Sequence, residues 1–268
     1  MQTIGLIGGG NMAEAIIKGI VRTNRQNPPN ILLYEPNNSR CETLGREYTL
    51  CFCESNGELA QKSEVILLAV KPQVSATVLK EIAPQVDDKR LILSIMAGVP
   101  TAAIESSFSG PVRVVRAMPN MPATIGEGVT ALCAGSHAES SDLLIAEELF
   151  SGIGTVLRVE EKQMDAVTGL SGSGPAYVYM LIEALADGGV FSGLPRATAL
   201  QLAIQTVLGS AKLASVSALH PAILRDQVCS PGGTTIAGVK ALEEHGFRDA
   251  VMDAVIRATQ KSKELGKK

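Results

Sequence analysis

Short apolar runs separated by amphipathic stretches organise the first 160 residues. Thr3–Ile7, Ile31–Tyr34, Val65–Val70, Leu91–Ile95, Val112–Arg116, Thr130–Cys133 and Thr155–Val159 each read as a strand. Between them, segments such as Ala13–Val21 repeat apolar residues at helical spacing. This alternation predicts a doubly wound sheet. From Lys162 onward only helical periods remain, over 162–170, 176–191, 195–214, 221–229, 234–245 and 248–264. Pro195 and Pro221 stand at favourable starts and Gly246 at a stop. The expected fold class is α/β plus all-α, a sheet domain over residues 1–160 followed by an all-helical domain over 161–268.

The first strand runs directly into Gly8-Gly9-Gly10-Asn11-Met12-Ala13 and then a helical pattern. That is the strand, G-x-G-x-x-A turn and helix of a Rossmann-type dinucleotide site. Gly8 permits the tight turn, Gly10 lets a pyrophosphate approach the backbone, and the small Ala13 allows close packing of helix on strand. The second strand ends at Glu35, about 20 to 25 residues beyond the glycines, where an acidic residue binds a ribose 2′-OH. A carboxylate there repels a 2′-phosphate, so Glu35 leans toward NADH over NADPH, with Arg40 as the group able to reverse that. The alternative role for Glu35 is a solvated turn residue before Pro36.

Near the other end, Ser230-Pro231-Gly232-Gly233-Thr234-Thr235 precedes a helical pattern from Ile236 to His245. Two glycines let backbone N–H groups converge, the helix adds its positive end, and two threonines add hydroxyls, which together describe an anion pocket. An ordinary loop is the competing reading. Gly169-Leu170-Ser171-Gly172-Ser173-Gly174-Pro175-Ala176-Tyr177 opens another helix, and Ser171 and Ser173 read equally as cleft groups or as capping and packing residues. Arg116-Ala117-Met118-Pro119-Asn120-Met121-Pro122 is a Pro-bounded loop at a strand end that presents Asn120.

Composition narrows the function classes. The 268 residues carry 19% charged residues and a net charge of −3, which argues against a nucleic-acid surface or a polybasic anchor. Five scattered cysteines without paired metal spacing fit reduced cytoplasmic thiols, and no metal site is expected. No leader pattern is present, and no apolar run reaches about 18 residues, so no membrane role is expected. His137, His220 and His245 read as structural or exposed. Apolar residues on more than one face of Tyr177–Ala186 and Ala199–Leu208 call for a partner surface, and an obligate dimer through the helical domain is expected.

Over essentially its whole length the chain resembles pyrroline-5-carboxylate reductase. The resemblance rests on Gly8-x-Gly10-Asn11-Met12-Ala13, Ala69-Val70-Lys71-Pro72, Met118-Pro119-Asn120, the 169–177 segment and the 230–235 segment, the last two being the specific ones. It implies NAD(P)H-dependent reduction of 1-pyrroline-5-carboxylate to L-proline, a Rossmann domain, an α-helical dimerisation domain, and homodimers that often assemble into rings. It also implies cofactor contacts from Ile7, Gly8, Gly9, Gly10, Asn11, Met12, Glu35, Asn56, Ala69, Val70, Lys71, Pro72, Met96 and Ala97. Substrate would meet Asn120, Val228, Gly233, Thr234 and Thr235. The small cyclic imine bears a carboxylate, which the Gly233 and Thr234 N–H groups suit, while Thr235 is placed to hydrogen-bond the ring nitrogen. Two departures stand out: the family's acidic residue before the His-Pro pair is absent from Ser217-Ala218-Leu219, and Met121 replaces its usual Thr. The rival readings are a β-hydroxyacid dehydrogenase, which would require a lysine that Ala176–Asp187 lacks, and a non-catalytic dinucleotide-sensing protein.

Overall fold

The computed structural model describes residues 3–23 and 30–266. Eight strands form one sheet: β1 (Thr3–Ile7), β2 (Asn30–Tyr34), β3 (Cys51–Phe52), β4 (Val65–Leu68), β5 (Leu91–Ser94), β6 (Arg113–Met118), β7 (Gly128–Ala134) and β8 (Gly154–Arg158). Their spatial order is β3-β2-β1-β4-β5-β6-β7-β8. The first six in chain order follow the 3-2-1-4-5-6 arrangement of a dinucleotide-binding sheet. All pairs are parallel except β6 with β7. The β6–β7 connection holds only a 3₁₀ turn (Met121–Ile125), closed by Gly126 at φ +80, too little chain for a crossover helix.

Helices α1 (Asn11–Thr23), α2 (Asn38–Glu47), α3 (Asn56–Lys62), α4 (Ser75–Ile82), α5 (Thr101–Glu105) and α6 (Ser140–Ser151) cover the sheet. Alternation along the strands sorts the core into two layers. Val65 and Leu67 of β4 pack with Leu6, Ile16, Ile17, Leu33 and Phe150, while Ile66 and Leu68 pack with Ile7, Leu59, Leu79 and Ile92. Burying each of these side chains contributes about 1.5–3 kcal/mol, and continuous apolar strands are the signature of a sheet covered on both faces. Local signals fix the helix starts. Asn37 accepts hydrogen bonds from the Ser39 and Arg40 N–H groups at α2, and Ser55 accepts from Glu58 N–H at 3.1 Å at α3. The start of α6 is a capping box of Glu139 and Asp142, whose buried carboxylate also receives Arg113 at 2.7 Å.

Then follow α7 (Met164–Val167), α8 (Gly174–Phe191), α9 (Arg196–Ser217), α10 (Pro221–Val228), α11 (Thr234–Glu244) and α12 (Phe247–Leu265). The chain divides into two compact units, one of Met1–Ser173 with Arg257–Lys268, the other of Gly174–Ile256. In the first, Ser262 Oγ donates to Asp165 at 2.6 Å, and Leu265 lies beside Gly98. In the second, α8 and α9 pack through a seam of small residues, Ala186, Ala199 and Ala203, with Gly189 also against Ala199. Most other large apolar residues of this unit are exposed, Phe191 at 95%.

Several elements differ from the sequence expectations. β3 is extra, a two-residue exposed edge strand too short to carry a pattern. The run 65–70 leaves the strand at Leu68, where the backbone turns toward the cavity described below. Instead of one helix over 162–170 there is a 3₁₀ turn (Glu161–Gln163), α7, and a π-helical turn (Thr168–Gly172). Gly169 and Gly172 weaken the regular α ladder there, and a Cβ at Gly172 would stand 2.7 Å from Met118 Cε. Helix α9 runs three residues further than expected and, by length and composition alone, could cross a membrane.

Candidate functional site

At the carboxyl ends of β1, β2 and β4 the sheet opens into a cavity of about 520 Å³. This is where ligands bind in open α/β sheets. Ile7, Gly8, Gly10, Glu35, Asn56, Ala69, Val70 and Lys71, eight of the expected cofactor residues, line it. Gly8 adopts φ +98, and a Cβ there would stand 2.7 Å from the Ala69 carbonyl oxygen, so the turn needs glycine. Its N–H donates to Tyr34 O at 2.9 Å, and Ala69 N–H donates to Ile7 O at 2.9 Å, tying the three strand ends together. Nothing lies within 4 Å of a Cβ built at Gly10, which leaves that face of the turn open.

Gly9 sits behind the cavity and is gripped from both sides. Its N–H donates to Glu35 Oε2 at 2.7 Å, and its carbonyl accepts from Arg40 Nε at 2.6 Å. Glu35 Oε1 also accepts from Asn37 N–H at 3.0 Å, while Arg40 Nη2 reaches Glu14 Oε2 at 2.5 Å. The Glu35 carboxylate is thus fixed at the end of β2 by two backbone donors. Asn11 and Met12 begin α1, with the Met12 side chain packed against the core.

Asn56, at the start of α3, is almost fully buried. Its Nδ2 donates to Glu81 Oε2 at 2.6 Å, and its Oδ1 is the buried side-chain oxygen without a hydrogen-bond partner among the described residues. Thr77 and Glu81, one helical turn apart on α4, line the same cavity. The motif reading passes over both, although their i, i+4 spacing just after Lys71-Pro72 is a signal that could have found them. An orphaned buried acceptor, a glycine cradle and a fixed carboxylate at one cavity fit the adenosine and pyrophosphate portions of a nicotinamide dinucleotide.

Met96 and Ala97 follow β5, with the Met96 side chain in the core and its N–H donating to Ser94 Oγ at 3.3 Å. Pro72 opens the turn that leads into α4. Beyond Ala97 and Gly98, at φ +73, the Thr101 N–H donates to Glu161 Oε1 at 3.3 Å. Glu161 also receives Arg116 Nη1 at 2.8 Å and Cys133 Sγ at 3.2 Å. Arg116 is 4% exposed. Burial pushes the Glu161 carboxyl up, but the donors Arg116, Cys133 and Thr101 outweigh that and hold it below the ordinary value. Burial, with the Glu161 charge beside it, pushes the Cys133 thiol up to about 12. This four-residue network is invisible to motif reading, because its members come from four separate segments.

Asn120 is occupied structurally: its Oδ1 accepts from Val129 N–H at 2.9 Å and its Nδ2 donates to Ser171 O at 3.1 Å, which pins the β6–β7 connection to the π turn. Ser171 Oγ donates to Val167 O at 3.0 Å. Met121 is exposed.

In the Gly174–Ile256 unit, the Ser230–Thr235 segment is a tight turn. Gly233 N–H donates to Ser230 O at 3.0 Å, and Gly232 adopts φ +69. A Cβ at Gly233 would stand 2.2 Å from Ser230 Oγ, so a side chain there would displace that hydroxyl, and the Gly233 N–H, expected to meet a carboxylate, is instead engaged within the turn. Helix α11 starts at Thr234 without a side-chain cap, and its first N–H groups are presented at the turn. Thr235 is half-buried, and Val228, at the end of α10, is exposed. His220 caps α10, its Nδ1 accepting from Ala222 N–H at 3.2 Å, the structural role expected of it.

Comparison with known proteins agrees across both halves. Residues 3–98 match the family described as NADP oxidoreductase, coenzyme F420-dependent, and residues 161–265 match pyrroline-5-carboxylate reductase dimerisation. The second match covers the helices whose apolar faces are exposed. The chain is 50% identical to the pyrroline-5-carboxylate reductase of Synechocystis over 99% of this chain and 98% of that one. Among solved structures, the pyrroline-5-carboxylate reductase of Coxiella burnetii superposes with a TM-score of 0.93 at 34% identity, covering 100% and 99% of the two chains. The Plasmodium falciparum pyrroline carboxylate reductase, solved with NADP bound, gives 0.88 at 35% identity over 99% and 98%. With full-length identity at this level joined to a Rossmann sheet and a dimerisation segment, the chain belongs to the pyrroline-5-carboxylate reductase family, oxidoreductases that act on a CH–NH bond in proline biosynthesis.

Proposed function

We propose that this chain reduces the C=N bond of 1-pyrroline-5-carboxylate to L-proline with NADH preferred over NADPH, as a cytoplasmic homodimer. The observation that carries the cofactor preference is the Glu35 carboxylate, held at the cavity by the Gly9 and Asn37 N–H groups. A negative charge fixed there favours a ribose 2′-OH and disfavours a 2′-phosphate. Asn56 Oδ1 supplies a further acceptor for a hydroxyl donor. When bound, the nicotinamide supplies the hydride. The dimer reading is supported by the dimerisation match and by the exposed apolar faces of α8 and α9.

The chain's own work in the reaction is positioning and charge stabilisation. Thr234 presents its backbone N–H at the N-terminus of α11 to the substrate carboxylate, the helix dipole adds to it, and Gly233, whose own N–H is engaged by Ser230 O, shapes the turn that brings the carboxylate there. Thr235 Oγ1 hydrogen-bonds the ring nitrogen and assists its protonation as electron density arrives there. Asn120 holds the β6–β7 connection in place, so its part in substrate binding includes orienting that backbone. Val228 contributes an apolar edge. The hydroxyacid dehydrogenase and sensor readings lose to the full-length identity with reductases.

Steady-state oxidation of NADH and of NADPH with 1-pyrroline-5-carboxylate tests the reading. The expected result is turnover with both and a higher kcat/KM for NADH, a ratio that Glu35→Ser lowers by about 10-fold, one lost charge effect of about 1.4 kcal/mol. A ratio favouring NADPH in the parent enzyme refutes the role given to Glu35.

A further inference from the structure

Arg40 stands on the first turn of the helix that follows β2, and its contacts explain why it does not cancel Glu35. Two contacts hold it: Nε donates to the Gly9 carbonyl at 2.6 Å, and Nη2 pairs with Glu14 at 2.5 Å. The side chains of Arg40 and Glu14 are 23% and 29% exposed, so the pair is partly withdrawn from water. Glu14 lies on the first turn of α1, directly beyond the glycine turn, and Arg40 lies on the first turn of α2, directly beyond Glu35. Gly9 is thus flanked by opposite charges, Glu35 on its N–H and Arg40 on its carbonyl. Gly8, Gly10 and Glu35 all line the cavity, whereas Arg40 does not.

We propose that Glu14 is a specificity-determining residue: by holding Arg40 against the Gly9 carbonyl, it withholds the guanidinium from a ribose 2′-phosphate and so supports the preference for NADH. This rests on the NADH reading of Glu35 but assigns a separate residue and a separate action. Arginine is the side chain best suited to a phosphate, with a planar fork of donors. A carboxylate that occupies the fork competes directly for that role. Neutralising Glu14 leaves one of the two restraints, the Gly9 carbonyl, and frees the outer edge of the guanidinium. The net charge around Gly9 rises by one at the same time. Arg40 and the first turn of α2 then become attractive to a dianion, although Glu35 stays in place.

The test is calorimetric binding of NADH and NADPH to the full-length enzyme without substrate, for the parent, Glu14→Gln, Arg40→Ala and the double variant Glu14→Gln/Arg40→Ala. The two dinucleotides differ only in the 2′-phosphate, so NADH serves as the control for an intact site. Glu14→Gln is expected to tighten NADPH by about 10-fold with NADH within about 2-fold, the worth of one charge-assisted phosphate contact. That gain shrinks as salt is raised, and it disappears when Arg40 is also removed. An unchanged NADPH to NADH ratio in Glu14→Gln overturns the proposal. So does a gain that persists in the double variant, because loss of a negative charge alone would then account for it. Equal binding of the two dinucleotides by the parent enzyme refutes the Glu35 reading instead, and the response of Glu14→Gln still decides the role of Glu14.

Discussion

Replacing Glu161 by Gln removes the carboxylate paired with the buried Arg116 guanidinium, and the structure sets the size of the consequence. Breaking a buried ion pair from one side costs about 3–5 kcal/mol, because the remaining charge is stranded. The Glu161 side chain is 33% exposed, so water and the new amide oxygen recover part of that loss. The hydrogen bonds from Cys133 and Thr101 weaken as well, as their acceptor becomes neutral. A net loss of about 2 kcal/mol follows, equivalent to about 4–8 °C in Tm for a domain of 150–250 residues. Denaturant unfolding followed by far-UV circular dichroism measures it directly. The double variant Glu161→Leu/Arg116→Met should recover most of the stability, since an apolar pair needs no partner. The pH dependence carries the same sign. Glu161 is held below its ordinary value of 4.5 in the folded protein, so its contribution is complete above that pH and is lost as pH falls through the folded-state value. The Glu161→Gln variant should therefore lose less stability on acidification than the parent. Stability within 0.5 kcal/mol of the parent at neutral pH, by the standard of an ordinary surface substitution, would refute this account of the network.

Three further outcomes are expected. Ala218, at φ 53 just after α9, is the one non-glycine residue with positive φ among those described, and Ala218→Gly should stabilise the protein by about 0.5–1 kcal/mol, measured as a rise in the urea midpoint. Cys133, with its thiol pushed up to about 12, should resist iodoacetamide in the native enzyme at pH 8, while exposed Cys51 is alkylated, as peptide mass spectrometry can read. Thr235→Ala should lower kcat/KM by about 100-fold, and unchanged kinetics would remove its hydroxyl from the reaction.

The dinucleotide half was legible because its signals are local. A strand, a glycine turn and a helix sit within residues 3–23, and the strand ends at Ile7, Glu35 and Ala69 meet at one cavity as the alternation requires. What escaped notice depends on distant partners. Glu161 lies 45 positions from Arg116 and 28 from Cys133, and no spacing rule joins them. The π turn escaped because apolar periodicity in 162–170 suits an α-helix, whereas the backbone over Thr168–Gly172 follows a wider helical turn that periodicity does not register. Asn120 carries a role its motif does not show: besides the substrate contact expected of it, each end of its amide holds a backbone group of the fold. The Glu14–Arg40 pair likewise needs three dimensions, since the two residues belong to different helices and meet only because Gly9 lies between them.

The return of residues 257–266 to the first unit makes the helical unit an insertion and not an appendage. A stop codon after Ile256 would take from the cofactor-binding body the Ser262 hydroxyl that donates to Asp165 and the Leu265 that lies beside Gly98. Fragments meant to isolate the nucleotide-binding half must therefore be spliced, with 173 joined to 257 through a linker, and simple C-terminal truncation should give a damaged domain. The same connectivity gives a swapped or grafted dimerisation module two seams to match, one at Ser173 and one at Arg257.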